Sequence, residues 1–232
     1  MKLLLTKKLI LLLCLMGLTV FAKAATSGPS DATSAPPVSA SSVGQVVCYG
    51  APISLKGPTD PGSSYKKYEW YKLDANGNKT LVKDGTATDN SYTEASDGAG
   101  YYIYQLVIIN TNDCSSDISD PYKVYVLPQL NVNIVPTGNV TSVCEKGQST
   151  TTLTASVTNP NPNLVYTYQW QRNGTDISGA TTNTYLVTEA NSGSVNFGVK
   201  VSYVLDNGCT QTASQTITVV PMPVKPVIVA GP

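Results

Sequence analysis

Four cysteines carry the most specific chemistry in the sequence: Cys48, Cys114, Cys144 and Cys209. Four thiols close two disulfides or hold one tetrahedral zinc, and spacing separates the two cases. A zinc site needs close pairs such as C-x-x-C, which the chain lacks, so disulfides are the expected product. Histidine is absent altogether. Its absence removes the commonest general base, the usual activation of Ser and Cys nucleophiles, and the commonest zinc ligand. Carboxylates remain. Asp113, Asp117 and Asp120 cluster after a turn, but no Asp-x-Asp spacing or bidentate glutamate accompanies them, so they read as solvated turn residues. A glycosidase-style carboxylate pair needs a cleft that short β domains rarely provide. The expectation is a non-enzymatic protein without metal or cofactor.

The elements that hold these residues come in two copies. Cys48, Trp70 and Cys114 recur as Cys144, Trp170 and Cys209. The period, about 97 residues, is long for a solenoid and suits a sandwich domain. Tyr68-Glu69-Trp70 matches Tyr168-Gln169-Trp170, Asn76-Gly77 matches Asn173-Gly174, and Ser91-Tyr92-Thr93 matches Thr184-Tyr185-Leu186. Between turn signals the pattern alternates with period two: Phe197, Val199, Val201 and Tyr203 share one face, Gly198, Lys200 and Ser202 the other. An all-β chain follows, with two tandem β-sandwich domains over residues 44–127 and 128–221. Trp70 and Trp170 are expected in the two cores. The repeat favours Cys48–Cys114 and Cys144–Cys209, one bridge within each unit, each closing a loop of about 65 residues.

The run Tyr168-Gln169-Trp170-Gln171-Arg172-Asn173-Gly174, then Ile177-Ser178-Gly179-Ala180-Thr181 and Thr184-Tyr185, resembles the immunoglobulin-like repeats of Bacteroidota surface proteins. So does the turn Asp206-Asn207-Gly208-Cys209. Such repeats stand in tandem in large adhesins, including some tied to gliding and type IX secretion. The resemblance covers both units, more sharply the second, and implies immunoglobulin-like folds and a surface setting, not a ligand. Those proteins are often longer and close on a sorting domain, which is not visible here. In antibody domains the second cysteine sits mid-strand, two residues after a corner tyrosine. Here Gly100-Tyr101-Tyr102 resembles that corner and Tyr104 takes the cysteine's place. The bridges are therefore expected to staple one end of each sandwich.

The first 24 residues read as a cleaved signal peptide: Lys2, Lys7 and Lys8, an apolar run from Leu9 to Val20, and Ala22-Lys23-Ala24 as cleavage site. The run is short for a bilayer span, and no second long apolar segment follows, so no transmembrane segment is expected after cleavage. Cys14 leaves with the peptide. The protein is expected outside the cytoplasm, at the cell surface or in the periplasm, where disulfides persist. Residues 25–43, rich in Ser, Thr, Ala and Pro, read as a flexible leader. Lys and Arg balance Asp and Glu at 15 each, so no basic surface is set aside for nucleic acid.

Two features point toward partners. With Trp70 inward, Glu69, Tyr71, Tyr101, Ile103, Val107 and Ile109 fall on the outer sheet face of the first unit, where the second unit has Gln169, Gln171, Lys200 and Ser202. An aromatic and aliphatic outer face marks a partner site, unless a loop or the second domain covers it. The extended tail, residues 222–232, carries Val224, Val227, Ile228 and Val229 in a pattern like the first strand of a domain, while the first unit has only Pro37-Val38-Ser39-Ala40-Ser41 in that place. Head-to-tail strand exchange between copies would join them. The expected function is a structural or adhesion module that binds another surface or outer-membrane protein, or copies of itself as a filament. The alternative is a surface carbohydrate-binding protein using Tyr71 and Tyr101 as stacking platforms.

Overall fold

The computed structural model describes residues 28–228 and 231, so the expected signal peptide and Val229 lie outside the described residues. The first sandwich contains β1 (Gln45–Val47), β2 (Ile53–Lys56), β3 (Tyr65–Leu73), β4 (Lys79–Asp84), β5 (Ser91–Glu94), β6 (Gly100–Asn110) and β7 (Tyr122–Val126). One sheet runs β1-β7-β6-β3-β4 and faces the pair β2-β5. The second sandwich contains β8 (Val132–Pro136), β9 (Ser142–Cys144), β10 (Thr151–Val157), β11 (Tyr166–Arg172), β12 (Thr175–Asp176), β13 (Thr184–Val187), β14 (Gly193–Tyr203) and β15 (Thr210–Val220). Its sheets run β12-β11-β14-β15-β9 and β13-β10-β8. Both are immunoglobulin-like β-sandwiches. Among the described residues no helix is long and apolar enough to cross a membrane.

Alternation builds both cores. Tyr68, Trp70, Tyr102 and Tyr104 are buried in the first sandwich; Trp170, Phe197, Val199, Val201 and Tyr203 are buried in the second. Each strand puts every second side chain on one face, so one buried face needs only a period-two pattern. The two centres share one arrangement. Tyr92 packs 6.1 Å from Trp70 and 5.6 Å from Tyr104, and its counterpart Tyr185 packs 5.7 Å from Trp170 and 5.5 Å from Phe197. The Tyr102 hydroxyl donates to the Gly98 carbonyl at 3.1 Å, as a corner tyrosine does. Between β11 and β12, Asn173 and Gly174 take φ of 49° and 82°, the paired positive values of a tight hairpin turn.

The leader differs from expectation. From residue 28 on it is tied to the first sandwich. Asp31 pairs with Tyr101 through two main-chain bonds of 3.0 and 2.7 Å, and the Ile103 N–H donates to the Ser30 hydroxyl at 3.0 Å. Because β3 ends at Leu73, opposite Ile103, the start of β6 has a free edge, and the leader fills it. Gly100 permits the approach: at φ +133°, a Cβ there would lie 2.5 Å from the Asp31 carbonyl oxygen. Composition pointed the other way because this order comes from main-chain pairing, not from burying the leader's own side chains.

Candidate functional site

The cysteines pair differently from expectation, and that sets the geometry of the whole chain. Cys48 bonds to Cys209, across the two sandwiches, with Cα atoms 5.3 Å apart. Cys114 and Cys144 are free and exposed. The expected bridges Cys48–Cys114 and Cys144–Cys209 are therefore both incorrect. The reason is strand direction. β1 runs parallel to β7, so Cys48 sits where β7 ends and, through the pair Gly100–Val126, where β6 begins. Cys114 follows the far end of β6, eleven residues along. At about 3.3 Å per residue that is roughly 33 Å, while bridged Cα atoms lie within about 7 Å. In the second sandwich the parallel pairing of β9 with β15 separates Cys144 from Cys209 in the same way.

Around the bridge an apolar seam is buried between the sandwiches. Tyr125 and Leu127 from the first meet Leu164, Tyr203 and Cys209 from the second, with Val43, Val46, Tyr101 and Tyr166 packed against them. The Tyr203 hydroxyl donates to the Pro128 carbonyl at 2.9 Å, fastening the junction itself. Burial, then the neighbouring Tyr101, pushes the Tyr125 phenol up to about 12. The Asp206 carboxylate lies 3.5 Å from the Cys209 sulfur. With both sulfurs in a disulfide neither is a thiolate, so Cys48, Asp206 and Cys209 do not form a metal site in this state.

The outer face of the first sandwich holds all six expected residues, each half-buried. Glu69 accepts from the Tyr71 hydroxyl at 2.8 Å and pairs with Lys67 at 2.6 Å, which also reaches Asp84 at 3.1 Å. The Lys67 ammonium, and then the Tyr71 hydroxyl, hold the Glu69 carboxyl below its ordinary range. Val107 stands opposite Glu69, Ile109 opposite Lys67 and Ile103 opposite Leu73. Tyr101 is engaged: its hydroxyl donates to the Ala35 carbonyl at 3.0 Å and its ring lies 4.9 Å from Tyr125. Leader and seam thus cover the Tyr101 end of the face. Tyr71, Val107, Ile109 and the exposed Leu81 are left at the other end, laced with ion pairs.

A repeated charge pair escaped the sequence reading. Lys72 is buried and its ammonium contacts Glu94 at 2.5 Å, the Gly28 carbonyl at 2.6 Å and the Tyr102 ring at 4.6 Å. Arg172 grips Glu189 with two bonds of 2.9 and 2.7 Å. The signal was present: Lys72 and Arg172 follow the two tryptophans at the same distance, and Glu94 and Glu189 each precede the matched alanines Ala95 and Ala190. Asp113 pairs with Lys66, and Asp117 and Asp120 are exposed. In the tail, Val224, Val227 and Ile228 are exposed and belong to no strand.

No family model and no curated protein matches the chain. Among solved structures, the fibronectin(III)-like modules of Clostridium thermocellum CbhA are 16% identical, with 82% of this chain and 96% of that one covered and a TM-score of 0.47. The N-terminal four Ig domains of Dscam1 isoform 8.4 are 14% identical, with 75% of this chain and 42% of that one covered and a TM-score of 0.32. Those of isoform 9.44 are 13% identical, covering 81% and 45%, at 0.31.

Proposed function

We propose that this chain is an exported, non-enzymatic structural module of the cell surface or periplasm. Its two sandwiches act as one stiff unit that displays protein-binding surfaces. The observation that carries this reading is the junction: the Cys48–Cys209 bridge and the buried Tyr125–Leu127–Leu164–Tyr203 seam tie the domains together. Immunoglobulin-like and fibronectin-like domains commonly mediate protein–protein contacts. The mixed face of Tyr71, Leu81, Val107 and Ile109 fits a protein partner better than a sugar, because Tyr101 is engaged and Tyr71 is bonded through its hydroxyl. Zero net charge gives no term that would favour nucleic acid.

Cross-linking and affinity capture from native membrane and periplasmic fractions tests the reading. Capture of a discrete protein, reduced by Val107→Asp, supports it. A glycan array in which binding is lost on Tyr71→Ala would instead establish the carbohydrate alternative.

A further inference from the structure

The two sandwiches are unequal at one position. In the second, β8 lies beside β10, and Leu130, Val132 and Ile134 pack onto the core. In the first, the counterpart of β10 is β2: Leu55 stands opposite Tyr92 as Leu153 stands opposite Tyr185, and Gly57 donates to Asn90 as Ala155 donates to Asn183. Yet among the described residues no strand lies on the other edge of β2. By strand alternation, the Ser54 and Lys56 main-chain groups face that open side. Below it runs a cleft of about 410 Å³, walled by Leu55, Gly57, Pro58, Trp70, Leu106 and Tyr122. The Trp70 indole N–H is buried there without an acceptor among the described residues, whereas that of Trp170 donates to Thr182. Among the described residues, the first sandwich therefore has no counterpart of β8.

The chain also carries an exposed apolar segment that pairs with no sheet among the described residues. β8 follows β7 after a short proline-started link; the segment after β15 likewise opens with Pro221 and Pro223 and continues through Val224, Val227 and Ile228, which are 92%, 83% and 97% exposed. In the sequence, Val227 and Val229 have the same i, i+2 spacing as Val132 and Ile134 of β8. The cysteines repeat the relation. Cys48 directly follows β1, which lies beside β7, and bonds to Cys209 in the turn after β14 of the following sandwich. Cys144 ends β9 beside β15, and Cys114 lies in the turn after β6; both are exposed thiols.

We infer that copies of this chain join head to tail, as a third and fourth sandwich would follow the first two. Residues 222–228 of one copy add to the free edge of β2 in the next, and Cys144 of the first bonds to Cys114 of the second. This deepens the structural-module reading by naming a second copy as partner. The bond forms by thiol–disulfide exchange with an oxidised disulfide donor: two thiols lose two protons and two electrons, and the donor becomes two thiols. The contact is heterologous, so it propagates unless it closes into a ring. The aromatic seam is not repeated, since Ser194 and Asn110 occupy the β14 and β6 positions matching Tyr101 and Tyr203. Strand and disulfide must therefore carry the joint.

The test incubates the chain lacking residues 1–24 with oxidised glutathione and reads non-reducing gels, sedimentation and peptide maps. The expected result is a reductant-sensitive ladder whose new cross-link joins the Cys114 and Cys144 peptides. Cys114→Ser and Cys144→Ser each abolish the ladder, and their mixture yields dimer alone. Val227→Asp with Ile228→Asp, at exposed positions that leave the fold intact, slows ladder formation at least about tenfold by spoiling strand addition. A Cys144–Cys144 or Cys114–Cys114 dimer, or two thiols that stay open to alkylation in a monomer, overturns the inference. Capture of another surface protein by that monomer would leave the broader functional reading standing.

Discussion

At the scale of single residues, the telling side chains are polar ones in apolar surroundings. Lys72 is 3% exposed and held by Glu94, a carbonyl and a tyrosine ring. Lys72→Met removes the cation and strands the Glu94 carboxylate, which also accepts from Tyr92. A loss of about 3 kcal/mol is expected in urea unfolding, with part of it recovered on adding Glu94→Leu, because a buried ion pair with one partner missing is costlier than none. Tyr102→Phe deletes only the corner bond to Gly98 and should cost about 1 kcal/mol in the same assay. The sequence displayed the corner tyrosine openly. It displayed the Lys72–Glu94 pair only through its echo in Arg172 and Glu189, because a lone lysine between strand residues looks solvent-facing until the sheet's inner face is assigned.

Among elements, direction matters more than composition. The leader has few apolar residues, yet it docks because β3 stops short of the start of β6 and leaves main-chain groups to be paired. Gly100→Ala places a methyl against the Asp31 carbonyl at a backbone angle that L residues avoid. Release of residues 28–35 is expected, read as faster amide exchange at Tyr101 and Ile103, with global unfolding changed less. Pairing of the leader was not legible in the sequence, since edge complementarity depends on where a neighbouring strand ends. The same applies to β1 and β9: short segments before a cysteine do not announce that they run parallel to a distant final strand.

For the whole molecule, the junction is the decisive feature. Closing 161 residues, the Cys48–Cys209 bridge stabilises by up to about 5 kcal/mol on the chain-entropy account. Cys209→Ser should lower the melting temperature, and small-angle scattering should show the domains moving apart, with each sandwich retaining its strand content. Alkali attacks the seam at Tyr125 and the first core at Tyr102. Tyr125 and Tyr102 are pushed up to about 12 by burial, against 10.0 when unfolded. Their contribution is intact below pH 10 and is lost as pH rises from 10 toward 12, because the unfolded chain releases those protons first. Stability measured across that window should fall, with tyrosinate absorbance rising in step with unfolding.

By itself the sequence determined two β-sandwiches with a tryptophan at each centre, because a buried sheet face demands alternation and a domain repeat shows as recurring residues. It determined neither cysteine partner. Each unit contains two cysteines at matching offsets, and nothing in their spacing records which end of the sandwich they occupy. Only the folded chain decided that, since parallel pairing of β1 with β7 sends Cys48 toward the second domain and away from Cys114.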